Sequence, residues 1–353
     1  LCPDRLSLRG SVPGEFSLVT WLRIRPDNTV TVLVPHVEMG QGSQTALAMM
    51  LAEELDVEWQ QVRVEQAPAE SMFATGDVVR VYMLGGGEFA PTLSRRLAMV
   101  TYQVAALNDL QLTGGSLSIR STGRIGMRSA GAAAREMLLQ AAAEKWGVPV
   151  SECGAALGKV THAGSGRTTS YGEVAEAAAR LSPPVAPHLK RPEEYRICGR
   201  PQALIHVEPA VRGALAYGVD AVPPNLKYAA IRHVPAFGGE FSSFDTSKLS
   251  VQPGVRDVLR LPGAIAVIAD SYWRAQRALD QLSLAFTPPM NPAPDSDELN
   301  AQFDRLLAEG KVETDFKQGA APELAGPSQR LHESTYAVPF LAHATLEPMN
   351  CSA

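Results

Sequence analysis

Apolar positions along the chain change period several times, and each change marks an element. Residues 29–34 (TVTVLV) place Val30, Val32 and Val34 on a two-residue repeat, which predicts a strand. After the turn MGQGSQ, Leu47, Met50, Leu51 and Leu55 recur at helical spacing, and VRVE at 62–65 returns to the strand pattern. A strand, a glycine turn, a helix and a strand in that order predict a sheet with helical cover. Between about Glu70 and Leu112 no period dominates, and the triplet Gly85 to Gly87 suggests a loop that is mobile or faces a ligand. TGGSLS at 113–118 then opens an alanine-rich helix from about Arg128, stopped by Gly147 with Pro149 just beyond. Ala130, Gly131 and Ala134 give that helix a face thin enough for close approach to a neighbour. Ser170 followed by Glu173 has capping-box spacing and predicts another helix start. The prolines of 181–196 make a stiff connector. LKYAAIRHV and AIAVIADS read as strands, and 272–282 as an amphipathic helix, so residues 197–288 form a compact α+β domain. Residues 289–330 read as a second linker, and 331–353 as the start of a further element.

The chain has 353 residues, enough for two or three domains. Its 45% hydrophobic and 20% charged content is that of a globular protein, and no apolar run approaches the ~20 residues of a spanning helix. A formal charge of −5 argues against general binding to nucleic acid, which calls for a basic face. Cys2, Cys153, Cys198 and Cys351 are scattered without a CxxC and are expected as free thiols, neither a zinc site nor an iron–sulfur run. Seven dispersed histidines include no HExxH pair, so no metal ligand is expected from this chain. The chain begins at Leu1 without a charged-then-apolar leader, so an export signal is expected to be absent or already removed.

The turn GQGSQT combines strand exit, two glycines and helix entry, which places backbone N–H groups and the positive end of a helix where an anion is stabilised. It departs from the dinucleotide fingerprint G-x-G-x-x-G because Thr45 stands at the third glycine, although Glu65 nearly has the spacing of a ribose ligand. No GK[ST] follows, so it is not a P-loop. A purely structural helix entry is an equal reading of these residues, and for TGGSLS a simple chain turn is the favoured one. Glu53–Glu54 and Glu193–Glu194 are expected on solvated faces. His343 and Glu347 stand four apart; a lone histidine near an apolar run is usually a core residue.

Taken together, WLRIRPDNTVTVLVPHVEMGQGSQ, TGGSLSIRS, MRSAGAAAREMLLQAAAEKWGVP, SYGEVAEAA, VRGALAYGVD, PGAIAVIADSYWRAQRAL and VPFLAHATLEPMNCSA occur in the order of one family. They resemble the N-terminal half of the molybdopterin-binding large subunit of the xanthine oxidase superfamily, in its branch of isoquinoline 1-oxidoreductase beta subunits and periplasmic aldehyde dehydrogenases. The resemblance implies a molybdopterin-binding domain over 1–165, a helix and connector over 166–196, an α/β-hammerhead domain over 197–288, a linker over 289–330, and the incomplete start of a second molybdopterin-binding region over 331–353. It implies molybdopterin cytosine dinucleotide carrying molybdenum as cofactor, with Met39, Gly40, Gln41 and Gly42 against the pterin and its phosphates and Ser43 and Thr45 nearby. Thr113, Gly114, Gly115, Ser116 and Ser118 match the family's second cofactor loop, with Leu117 in place of its threonine.

By the same resemblance the dithiolene sulfurs of the pterin hold the metal, and the glutamate that takes a proton from Mo–OH lies beyond this chain, which holds no catalytic residue. The implied activity is oxidation of an aldehyde or hydroxylation of an N-heterocycle with water as oxygen source. The implied partners are a second chain carrying the C-terminal half, this chain being a naturally split subunit or the first piece of a longer or cleaved polypeptide, with a small [2Fe-2S] subunit and a cytochrome c, in the periplasm or otherwise the cytoplasm. Three departures stand out: the extended 70–112, expected to bear on a substrate funnel or partner contact, and IHV at 205–207 and AVRG at 210–213, expected to affect only the hammerhead domain. Two other classes are consistent with the turn alone: a non-catalytic cofactor-binding or assembly module, and a nicotinamide or flavin dehydrogenase using Gly40 to Glu65.

Overall fold

The computed structural model describes residues 14–85, 91–247, 252–290 and 294–310, and of the C-terminal stretch 316, 318, 319, 330, 332 and 334–352. It divides into two compact units, 1–215 and 216–353. In the first, β1 (Phe16–Val19), β2 (Leu22–Ile24), β3 (Val30–Val34) and β4 (Val62–Gln66) form one sheet in that order. β3 and β4 are parallel and α1 (Ser43–Leu55) connects them, as the apolar periods predict. Every residue of β3 is buried, which is why its repeat is interrupted by Leu33: both faces of this strand are covered.

α2 (Gly76–Leu84) and α3 (Pro91–Leu107) occupy the stretch whose pattern is mixed, and Gly86 and Gly87 of the glycine triplet lie outside the described residues. A short helical turn, α4 (Ser116–Ser118), runs through a nine-residue π-helix (Ile119–Met127) into α5 (Arg128–Trp146). Helical structure therefore starts about twelve residues before the alanine-rich run. The π-helix contains two glycines, Gly123 and Gly126, residues of low helix propensity. Both are contact points: a β-carbon at Gly123 would lie 2.6 Å from Met50 Sδ, and one at Gly126 2.6 Å from the Trp21 ring.

α1 and α5 pack face to face over Leu47, Leu51, Ala130, Ala134 and Leu138. Gly131 permits the close approach expected of this face, since a β-carbon there would stand 2.3 Å from the Leu51 carbonyl oxygen. Gly147 ends α5 in the left-handed region at φ 66°. β5 (Cys153–Ala156), β6 (Lys159–His162) and β7 (Thr168–Ser170) form a small antiparallel sheet. α6 (Tyr171–Ala179) follows with both bonds of the Ser170–Glu173 capping box present. Tyr171, Val174, Ala175 and Ile197 join the main core, so the connector stretch packs on the first unit. The helical turn α7 (Val207–Val211) lies near its end.

The second unit is also α+β. β8 (Tyr228–His233), β10 (Val255–Leu261) and β11 (Ala264–Ala269) form a sheet in the order β10-β11-β8, and β9 (Glu240–Phe244) pairs with β12 (Leu284–Thr287). Ile265, Val267 and Ala269 of the central strand face Ala275, Ala278 and Leu279 of α8 (Tyr272–Asp280). Two expectations change here. The stretch read as a linker contains α9 (Ser296–Glu309), started by Asp295 accepting from the Glu298 N–H, although none of its residues is buried. Residues 334–352 carry no regular secondary structure, and Tyr336, Val338, Phe340 and Leu341 are exposed. Among the described residues no helix is long and apolar enough to cross a membrane.

Candidate functional site

The two glycine loops, 76 residues apart in sequence, are joined directly. β3 delivers Pro35, His36 and Val37 to its C-terminal edge, where the first loop starts. The Val37 N–H donates to Thr113 Oγ1 at 3.0 Å, Gln111 Nε2 donates to the Pro35 carbonyl at 3.0 Å, and Ser118 Oγ lies 3.2 Å from His36 Nδ1. Ser118 also ties its own loop, taking the Gly114 N–H at 3.0 Å and donating to the Gly114 carbonyl at 2.6 Å. Met39, Gly40, Gln41, Gly115 and Ser116 remain exposed around this junction. A β-carbon added at Gly40 or Gly115 would meet nothing within 4 Å, so the space before both loops is open.

Beneath that surface the first turn is internally bonded. Gly40 and Gly42 hold φ of 90° and 74°, conformations that favour glycine and that fold the main chain back on itself. The sequence suggested unpaired N–H groups here, but Glu38 accepts them: Oε1 from Gly40 at 3.0 Å and Gly42 at 2.8 Å, Oε2 from Gln44 at 3.2 Å. The Gln41 amide accepts from the Met39 N–H at 2.5 Å and donates to the Val37 carbonyl and Ser43 Oγ, both at 2.9 Å. Ser43 and Thr45 are buried under the turn, and Thr45 Oγ1 accepts from the Ile205 N–H at 3.1 Å. These two side chains support the loop from below.

Residues that sequence reasoning did not single out complete the base. His36 is fully buried, and burial pushes its pKa from 6.5 down to about 4, against a smaller upward pull from the Leu112 backbone. It is a neutral ring spacing the two loops. Gln44 donates to the His36 carbonyl at 3.2 Å and to Gln66 Oε1 at 2.7 Å, leaving its own carbonyl to accept from His206 Nε2 at 2.9 Å. Residues 205–207, expected to concern the hammerhead region, thus brace the start of α1, because Leu204 to His206 fold over Gly42 and Thr45. Only the G-x-G spacing hinted at this neighbourhood; nothing local in the sequence joins residue 44 to 206.

Glu53 and Glu54, expected on a solvated face, are buried at the far end of α1. Glu53 Oε2 accepts the N–H groups of Arg196, Ile197 and Cys198 at 2.8, 2.6 and 3.0 Å, and Oε1 meets Lys190 Nζ at 3.0 Å. Burial alone would raise its pKa, but the combined hydrogen bonds hold it below the ordinary carboxylate value. Glu54 pairs with Arg128 at 2.7 Å and Arg135 at 3.8 Å. This network fastens the connector to α1. Glu193 and Glu194 are exposed, as expected. Of the other singled-out pair, Glu347 accepts from the Gly218 N–H at 3.2 Å. Cys153, Cys198 and Cys351 are free thiols, while Cys2 lies outside the described residues; burial pushes the Cys198 pKa up to about 11. Among the described residues no three His, Cys, Asp or Glu side chains converge as a metal site.

Comparison with known proteins bears on this pair of loops. Residues 11–77, spanning the first turn, match the molybdopterin cofactor-binding domain family. The beta subunit of isoquinoline 1-oxidoreductase from Brevundimonas diminuta is 28% identical, across 94% of this chain and 44% of its own length. One nicotinate dehydrogenase subunit from Pseudomonas putida is 28% identical across 95% of this chain and 26% of its own. The membrane-bound aldehyde dehydrogenase [pyrroloquinoline-quinone] of Gluconacetobacter polyoxogenes is 25% identical across 97% and 42%. The chain therefore spans less than half the length of these relatives. Quinoline 2-oxidoreductase from Pseudomonas putida 86 overlaps 44% of this chain and 15% of its own at 20% identity and a TM-score of 0.27, too slight an overlap to bear on the fold. Residues 11–77 thus match the molybdopterin cofactor-binding domain family, and most of this chain is similar to part of the isoquinoline 1-oxidoreductase and nicotinate dehydrogenase subunits.

Proposed function

We propose that this chain supplies part of the cofactor-holding half of a molybdenum hydroxylase, an oxidoreductase that oxidises an aldehyde or hydroxylates an N-heterocycle with oxygen from water. The observation that carries the proposal is the junction of the two glycine loops through Val37–Thr113 and His36–Ser118, with open space before Gly40 and Gly115. That surface fits the edge of a large polar cofactor: exposed glycines permit close main-chain approach, and the start of α4 at Gly115 has no side-chain cap. Met39, Gly40, Gln41, Gly115 and Ser116 would touch molybdopterin cytosine dinucleotide. Gly42, Ser43, Thr45, Thr113, Gly114 and Ser118 would shape the loops behind them. When bound, the cofactor supplies the two-electron redox centre. The residues of this chain orient it and keep the turn rigid, since Gln41 and Glu38 are bonded within the loop before any ligand arrives. A catalytic base belongs, in this reading, to the C-terminal half of the catalytic subunit, carried by a second polypeptide or by the rest of a longer one. Electrons leave through a [2Fe-2S] subunit towards a cytochrome c, with the complex in the periplasm.

The test is the metal and nucleotide content of the chain purified with its completing partner. Molybdenum and cytosine monophosphate, released by acid, are expected in equal amounts. Ser116→Phe, a bulky group on an exposed position between the loops, should lower both at least tenfold with the melting temperature unchanged. A complex that contains neither molybdenum nor cytosine nucleotide refutes the proposal. NAD or FAD in their place establishes the dehydrogenase reading instead.

A further inference from the structure

The first glycine turn has the geometry of an anion cradle, and its three inward donors already share one acceptor. Gly40, Gly42 and Gln44 point their N–H groups at the Glu38 carboxylate at 3.0, 2.8 and 3.2 Å. Two of the three donors come from residues with positive φ, the backbone state that turns successive N–H groups to one side. The third belongs to the first turn of α1, whose N-cap Gly42 has no side chain to offer and whose first turn contains no acidic residue. Negative charge is favoured at a helix start. Here it is delivered from four residues upstream of the cap. The far side of the cradle is closed as well: a β-carbon at Gly42 would stand 3.1 Å from Leu204 Cδ2, and Thr45 Oγ1 is engaged by Ile205.

We infer that the anion held by this turn is the carboxylate of its own Glu38, which fills the cradle in place of a phosphate and fixes Met39, Gly40 and Gln41 in the outward-facing shape. Glu38 is a positioning residue. An external phosphate cannot share the three N–H groups, because a second anion would face the carboxylate across a single set of donors. A ligand can use only the outer face of the turn. This follows from contacts within the chain and does not rest on the molybdopterin reading, so either can fail alone.

The experiment compares the full chain as wild type, Glu38→Ala and Glu38→Gln by amide hydrogen exchange over residues 37–47, at pH 7 and constant ionic strength, in sodium chloride, formate or phosphate. In wild type the amides of Gly40, Gly42 and Gln44 should be protected and indifferent to the added anion. In Glu38→Ala they should exchange at least tenfold faster, and formate or phosphate should restore at least threefold of that protection by entering the vacated cradle. A merely structural role for Glu38 would not give rescue by a small anion. Glu38→Gln, which keeps the size but loses the charge, should exchange faster at the same amides; it decides the matter if Glu38→Ala does not fold. The inference is overturned by wild-type amides that become protected only when phosphate is added, by unchanged exchange in Glu38→Gln, or by a folded Glu38→Ala that no anion rescues.

Discussion

Glu53→Ala removes the side chain that fastens the connector to α1, and the cost can be worked from its contacts. Glu53 is only 2% exposed, and one of its oxygens accepts three backbone N–H groups while the other meets Lys190. Lys190 keeps a second partner, Asp56 at 2.8 Å, so its charge is not stranded by the substitution. The backbone donors are less fortunate. That of buried Ile197 loses its acceptor, while those of Arg196 and Cys198 are nearer to water. A charge-assisted hydrogen bond contributes about 1.5–3 kcal/mol, and breaking a buried ionic contact by deleting one partner costs about 3–5 kcal/mol. With partial rehydration at two of the three donors we expect the lower part of that range, ~3 kcal/mol. For a unit of this size that lowers the melting temperature by roughly 6–12 °C. Glu53→Gln, which keeps one oxygen for the three donors but loses the charge, should cost about half as much. The assay is urea unfolding, together with trypsin cleavage after Lys190 and Arg196, which should become faster in the native state as the segment comes loose. The reasoning is refuted if Glu53→Ala loses under about 1 kcal/mol with cleavage at these sites unchanged.

Gly131→Ala should destabilise the first unit by about 2–4 kcal/mol, because its β-carbon, 2.3 Å from the Leu51 carbonyl, forces α1 and α5 apart; thermal unfolding measures it. For His36 the folded pKa of about 4 lies below the ordinary 6.5, so its contribution is fully present above pH 6.5 and is lost as pH falls towards 4. Unfolding free energies across that window should therefore drop by ~3 kcal/mol in wild type, and by visibly less in His36→Gln. His206→Ala deletes the bond to Gln44 and should cost about 1 kcal/mol, with faster amide exchange confined to the start of α1. Ser170→Ala removes the Glu173 N–H acceptor and should cost about 1 kcal/mol in a melt of the first unit.

Residue spacing alone encodes several elements of the first unit. The period of Val30, Val32 and Val34, the helical recurrence from Leu47 to Leu55 and the return at Val62 specify β3, α1 and β4, because each pattern is a face that must be buried. Ser170 with Glu173 and the left-handed Gly147 mark helix ends for a similarly local reason, that orphan backbone groups need partners within a few residues. The two glycine loops are legible as turns before helices. Their meeting is not, since Val37 and Thr113 are 76 residues apart and only the packing of α1 against the helix that follows the second loop brings them within 3.0 Å. The same limit governs the acidic residues. Glu53 and Glu54 look like any exposed pair on a helix, and their burial depends on Arg128, Arg135 and Lys190 arriving from distant segments to neutralise them. Long-range packing and side-chain conformation also set which anion the first turn holds. Spacing shows that N–H groups are gathered there; only the folded chain shows that Glu38 turns back onto them, because a side-chain rotamer leaves no trace in a pattern of residue types.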